Sequence, residues 1–206
     1  MQDSYVWVDI ETTGLNVKKD KILEVGIIIT DREYAEKART SMVIKHPARV
    51  LAQMDPWATD THTRNGLITE SKSARYPVNI ADAVLTEWLK EMVGNLAKPY
   101  MCGTSVHFDR EFLKRYMPRL EACFHYRNFD LATLREFFEV NAPASFKFGS
   151  SYDVTHRAIE DIEYCLNAMR HYRQKFASMR DGSVFTALAL WGIHFDSVKT
   201  DSARKG

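Results

Sequence analysis

Cysteine is scarce in this chain and unpaired in pattern. Cys102, Cys123 and Cys165 are the only three among 206 residues, and none belongs to a C-x-x-C. An odd, scattered set excludes a disulfide framework and fits a reducing compartment. Each thiol is expected to serve as a small buried hydrophobe. The seven histidines do not pair with cysteines at zinc spacing, which excludes a structural zinc site. Long hydrophobic runs are missing as well. Segments such as Val25–Ile29 are far too short to span a bilayer, so no membrane association is expected. Excess charge of one sign is also absent, with a net charge of +1. That argues against a broad basic face gripping long duplex nucleic acid. It leaves room for a small phosphate-bearing ligand held by a few cations. The first strand follows so closely on residue 1 that no signal or transit peptide is expected. The expected location is cytoplasmic.

What is present is ordinary in bulk: 45% hydrophobic and 27% charged residues, enough for one core. A single domain is expected over residues 1–177. Residues 178–206 read as an extension. Its part Val184–Phe195 is apolar enough to dock somewhere, and its end, Lys199–Gly206, is polar and expected to fray.

The chain is organised around Tyr5–Leu15, YVWVDIETTGL. It begins with β-branched and aromatic residues and reads as a strand. With period 2, Tyr5, Trp7, Asp9 and Glu11 share one face, and Val6, Val8 and Ile10 share the other. Two carboxylates side by side at the end of an apolar strand repel one another, and burial sharpens the conflict. A cation resolves it, and paired oxygens suit Mg²⁺ or Mn²⁺. Solvation of both acids at the strand end is the alternative.

Further strands are expected at Ile22–Thr30 and Ser41–Lys45, the intervening turn lying in Asp31–Ala38. Short links make these three an antiparallel meander. Ala48–Glu70 reads as irregular or short-helical. Ile80–Val93, His107–Tyr116, Leu131–Val140 and Thr155–Phe176 carry helical periodicity, and short strands are expected at Pro99–Cys102 and Tyr126–Asp130. Ala142–Asp153 reads as loop. The pattern predicts an α/β fold, a mixed sheet flanked by helices. Asp109 then stands at the start of a helix, where the macrodipole alone would welcome it. His156 opens the longest helix, with Asp161 one and a half turns further on.

Asp9 and Glu11 on the first strand, a lone Asp109 a hundred residues later, and His156-x-x-x-x-Asp161 on a late helix together resemble the DEDD exonuclease superfamily in its histidine-bearing branch. The segments MDPWATDTHTRNGL, CGTSVHFDREFLKRYMP, HYRNFDLATL and HRAIEDI resemble the oligoribonuclease family within it. The similarity runs from about Trp7 to Tyr172. It implies a ribonuclease-H-like fold, with Asp9, Glu11, Asp109 and Asp161 holding two divalent cations, Mg²⁺ or Mn²⁺, and His156 as general base. The activity implied is 3′→5′ hydrolysis of short single-stranded RNA, dinucleotides above all, to nucleoside 5′-monophosphates by a two-metal displacement, with single-stranded DNA as the alternative substrate. A less selective 3′→5′ exonuclease is the alternative, and a non-catalytic nucleic-acid-binding module the third reading. The resemblance further implies that Leu15 wedges against the bases, that Trp57 and His62 line the pocket, and that Ser105, Tyr126 and Arg127 grip the substrate's 5′ phosphate. Tyr126 and Arg127 would come from the partner subunit of a homodimer. Three positions depart from the family pattern: Thr12 stands where Met is usual, Ala132 where Ser is expected, and Thr104 where Asn is usual.

Overall fold

The structure, a computed structural model, describes residues 4–94, 98–142, 144–149 and 155–181. It contains a five-stranded mixed sheet in the order β3-β2-β1-β4-β5. The strands are β1 Tyr5–Thr12, β2 Ile22–Thr30, β3 Glu36–Val43, β4 Met101–Gly103 and β5 Asn128–Asp130. β1, β2 and β3 form the expected antiparallel meander, while β4 and β5 add in parallel on the other side of β1.

β3 starts five residues earlier than its apolar content indicated. Among the described residues it is an edge strand, EKARTSMV, whose charged residues suit an edge and carry little hydrophobic signal. The turn before it is correspondingly tight. Asp31 Oδ1 accepts from the backbone of Glu33 at 2.8 Å and Ala35 at 3.0 Å, with Tyr34 left-handed between them. β5 begins at Asn128 rather than Tyr126, because Arg127 N donates to His125 Nδ1 in a local turn. β4 extends through Gly103. A Cβ there would lie 2.8 Å from Val8 O, so only glycine lets the strand continue at this spacing.

Short helices α1 Ala48–Leu51, α2 Pro56–Arg64 and α3 Leu67–Ser73 follow the meander. Then come α4 Val78–Val93, α5 Val106–Tyr116, α6 Pro118–Glu121, α7 Leu131–Asn141, a 3₁₀ turn at Ala144–Phe146, and α8 Ala158–Asp181. The period-2 reading of β1 corresponds to two cores. Val6, Val8 and Ile10 pack in one with Leu85, Leu89 and Phe112 of α4 and α5. Trp7 packs in the other with Ile162, Leu166 and Met169 of α8. The sheet is thus covered by helices on both faces. Among the described residues, no helix is long and apolar enough to cross a membrane. The part of the extension beyond Asp181, including Val184–Phe195, lies outside the described residues, as do Pro143 and residues 150–153 of the expected loop Ala142–Asp153.

α8 begins at Ala158, so His156 does not open it. His156 sits in the preceding loop with φ +52°. The helix starts late because Glu24, buried on β2, ties down Arg157 and accepts from Ala158 N at 3.4 Å.

Candidate active site

Three parts of the fold carry the acids to one place. β1 presents Asp9 and Glu11 on the face towards α8. α5 brings Asp109 in its first turn, and this carboxylate is buried rather than solvated at the helix end. Its Oδ1 accepts from Ile10 N at 3.0 Å, which locks α5 onto β1 between the two β1 acids. α8 supplies Asp161. Glu11, His156 and Asp161 each offer a ligand atom, and these atoms lie within 4.8 Å of one another.

The electrostatics record the crowding. Burial, then Asp109, Glu11, Asp161 and Glu24, push Asp9 well above the ordinary carboxylate range. Burial, then Asp161, Glu24 and Asp109, push Glu11 to about 8. Burial also carries Asp109 to about 8, against the pull of the Asp109 and Ile10 backbone donors. Glu11 is buried and Asp9 only partly exposed, so the two β1 acids do not sit at a freely solvated strand end. An oxygen-rich set of mutually repelling carboxylates fits hard divalent cations.

His62 lies against this cluster. It is buried, and its Nε2 is 3.5 Å from Glu11 Oε2. Burial, then repulsion from His156, lowers its pKa to about 4. It is therefore neutral near pH 7, and the contact with Glu11 is not an ion pair.

Beside the acids lies a cleft of about 390 Å³, lined by Glu11, Leu15, Lys19, Trp57, His62 and Phe108 among others. Leu15 is 80% exposed and Trp57 58% exposed, so neither is a core residue. Both are held in place from behind. Asp20 accepts from Thr13 Oγ1 at 3.2 Å and Asn16 N at 2.8 Å, and it occupies the space a Cβ on Gly14 would need. Asp55 N donates to Thr13 O at 2.8 Å, and Asp55 also caps α2 by accepting from Trp57 N at 2.9 Å. The turn bearing Leu15 and the helix bearing Trp57 are therefore fixed to each other across the cleft. The Trp57 ring meets the His156 imidazole edge-on at 5.0 Å. Thr12, in the position where Met is usual, turns its hydroxyl to Gly14 O at 2.9 Å.

With that geometry in view, comparison with known proteins is decisive. The Exonuclease family model matches residues 6–169. The oligoribonuclease of Ralstonia nicotianae is 41% identical over 175 residues, 84% of this chain and 79% of that protein. The oligoribonuclease of Neisseria meningitidis serogroup B is 40% identical over 183 residues, 85% of this chain and 95% of that protein. The chain belongs to the oligoribonuclease family. Among solved structures, a zinc-bound complex of Escherichia coli exonuclease I with single-stranded DNA superimposes with a TM-score of 0.65 at 16% identity. It covers 92% of this chain, which in turn spans only 43% of that exonuclease I chain. The exonuclease I of Methylocaldum szegediense gives a TM-score of 0.67 at 15% identity, over 86% of this chain and 42% of that one. These likenesses concern the fold alone, and the α/β, ribonuclease-H-like architecture is the one expected.

None of the residues expected to grip a 5′ phosphate lines the cleft of its own chain. Ser105 is exposed and left-handed at the start of α5, and its N–H already donates to Asp130 Oδ1 at 3.1 Å. Tyr126 is 75% exposed and lines a separate depression with His107 and Arg110. The Arg127 guanidinium lies over the Tyr126 ring, 5.4 Å from its centroid. One chain does not bring this pair to its own cleft. Sequence reasoning missed Asn65, Glu24, Glu70 and Arg157, which surround the His156 loop. The signal for Glu24 was available: a lone acid in the apolar strand ILEVGIIIT, and the ladder partner of Glu11.

Proposed function

We propose that the protein is a metal-dependent 3′→5′ exoribonuclease that degrades short RNA, dinucleotides above all, to nucleoside 5′-monophosphates. The observation that carries this is the meeting of Asp9, Glu11, Asp109, Asp161 and His156 beside a cleft walled by Leu15 and Trp57. Asp9, Glu11, Asp109 and Asp161 would hold two divalent cations, Mg²⁺ or Mn²⁺. When bound, such a pair neutralises charge at the scissile phosphate and on the leaving 3′ oxygen. His156 acts as general base, taking the proton of the attacking water at an imidazole nitrogen. Leu15 and the Trp57 ring receive the bases of the 3′-terminal nucleotides, an aromatic face being tolerant of base identity. His62, neutral and buried, backs Glu11 without adding a positive charge that would compete with the cations.

The family expectation of a homodimer belongs to the same proposal. Tyr126 and Arg127, exposed and stacked on each other, reach the cleft of the partner and cap the 5′ end of a short substrate, where an Arg fork suits a terminal phosphate. Ser105 contributes its hydroxyl. Ala132 offers no hydroxyl where the family has Ser, so the length preference should be weaker than that of its relatives. The three free cysteines accord with a cytoplasmic setting. The experiment is a time course on 5′-labelled RNA and on the matching DNA, with Mg²⁺ and with excess chelator. Stepwise shortening from the 3′ end, faster on RNA and abolished by chelation, is expected. Full activity in excess chelator, or tight binding with no cleavage, would overturn the proposal.

A further inference from the structure

His156 adopts φ +52°, a left-handed conformation that an L-residue enters only at a cost. Such strain persists where the surroundings over-determine it. Here they act from both sides of the residue. Asn65 Nδ2 donates to Thr155 O, the carbonyl before the residue, at 3.1 Å and to the residue's own carbonyl, His156 O, at 2.7 Å. The orientation of that amide is itself fixed, because Asn65 Oδ1 accepts from Leu67 N at 3.1 Å. On the C-terminal side, the Arg157 guanidinium is shared between two carboxylates. Nε and Nη2 donate to Glu24 at 2.9 and 3.2 Å, and Nη1 and Nη2 donate to Glu70 at 2.9 and 3.0 Å. Glu24 is anchored in turn by the Ser41 hydroxyl at 2.7 Å. It is also the ladder partner of Glu11, so the grip on Arg157 is referred to the strand pair that carries the acids. α3 thus holds the loop at two points, Asn65 just before its start and Glu70 within it.

We propose that Asn65, Glu24, Glu70 and Arg157 form a clasp that sets the position of the His156 imidazole. They are positioning residues that touch neither substrate nor cation. This rests on the reading of His156 as general base. Misplacing a reacting group by about 1 Å can lower a rate by roughly 10²-fold, so small movements of the loop are sufficient to matter.

The test uses Asn65→Ala and the milder Glu70→Gln, which alters a half-exposed side chain and leaves the pairing of Arg157 with the buried Glu24 in place. Each is made in the wild-type chain and in His156→Ala. Turnover of a 5′-phosphorylated RNA dinucleotide is measured together with Mn²⁺ affinity by calorimetry. Asn65→Ala is expected to lower kcat by roughly 10- to 100-fold and Glu70→Gln by roughly 3- to 10-fold, by the same positional argument. KM and Mn²⁺ affinity should stay within about twofold, as for a group that acts only through the transition state. In the His156→Ala background, neither change should lower kcat further, because the group they position is already gone. If Asn65→Ala and Glu70→Gln slow the His156→Ala protein as much as the wild type, or raise KM with kcat intact, the clasp is refuted. A His156→Ala protein that turns over at the wild-type rate would instead refute the assignment of the base.

Discussion

Ala158, the first residue of α8, rests directly on Gly26 of β2. A Cβ built on Gly26 lies 2.8 Å from Ala158 Cβ and 2.9 Å from its carbonyl carbon. Gly26 is also the ladder partner of Asp9. The long helix therefore lands on the sheet beside the first acid, and Asp161, three residues on, takes its height from that contact. Gly26→Ala should displace α8 outward and separate Asp161 from Glu11. The expected destabilisation is about 1–3 kcal/mol, as for other overpacked sites. Turnover should fall more steeply, by roughly 10²-fold. A thermal melt and a rate assay on the same preparation check this. Full turnover in Gly26→Ala would mean that the helix position is not critical.

The buried carboxyls make stability depend on pH. Asp9 is raised, and Glu11 and Asp109 are each raised to about 8, burial being the largest cause in all three. In the fold these groups keep protons that the unfolded chain has already lost, so stability falls as pH rises from the ordinary carboxylate range towards about 8. His62, lowered to about 4, works in the opposite direction. It stays neutral where an unfolded imidazole, with its ordinary value of 6.5, is charged, so stability rises with pH over that interval. His46, also lowered, adds to the same effect. Above about pH 6.5 the two histidine effects are complete and the carboxyls dominate. In chelator, the melting temperature should therefore decline between about pH 6.5 and pH 8.5. Mg²⁺ or Mn²⁺ should raise it and flatten the decline, since ligation stabilises the ionised fold. Glu11→Gln should flatten it without metal. A melting temperature in chelator that is independent of pH over this range would contradict the crowded-carboxylate description.

Base and ligand separate by mutation. His156→Ala should lower kcat by roughly 10²- to 10⁴-fold near neutral pH, the usual worth of a general base. Its Mn²⁺ affinity should change little. Asp9→Ala should lose metal affinity and turnover together. Calorimetric titration alongside single-turnover rates distinguishes the two patterns.

The cleft walls should affect substrate binding with little effect on folding. Leu15 and Trp57 are largely exposed, so Leu15→Ala and Trp57→Ala should leave the melting temperature nearly unchanged. Losing an aromatic–base stack is worth about 1–3 kcal/mol, and Trp57→Ala should raise the dissociation constant of a non-hydrolysable dinucleotide accordingly. Fluorescence anisotropy with a labelled analogue measures it.

Much of the fold was legible because the signals were local. Alternation in YVWVDIET divides cleanly between two cores, and the apolar periodicity of α8 matches its buried face, whereas in α4 the apolar Val84 and Met92 are exposed and Ala81, Leu85 and Leu89 face the core. The acids were legible through their family spacing. What escaped depends on long-range geometry. β3 was placed late because an edge strand carries charge in place of an apolar pattern. His156 was placed inside the helix because nothing near it in sequence announces a left-handed residue; Asn65, ninety-one residues away, donates to its carbonyl. The clasp escaped for the same reason. An arginine shared between Glu24 and Glu70 has no sequence signature.

Substrate length is the most direct test of the proposed function. If the partner's Tyr126 and Arg127 close the 5′ end of the cleft, each added nucleotide must displace that cap or forgo its contact with the phosphate. A charge-assisted contact of this kind is worth about 1.5–3 kcal/mol, roughly 10- to 100-fold in affinity. The measurement is the hydrolysis rate of 5′-phosphorylated RNA of about 2, 3, 5 and 20 nucleotides, with the mass in solution determined on the same sample. The expected result is a dimer that degrades the dinucleotide fastest, with Arg127→Ala reducing that preference more than it reduces cleavage of the longest RNA. Equal rates at every length, or a monomer fully active on the dinucleotide, would contradict it and leave a general 3′→5′ exonuclease.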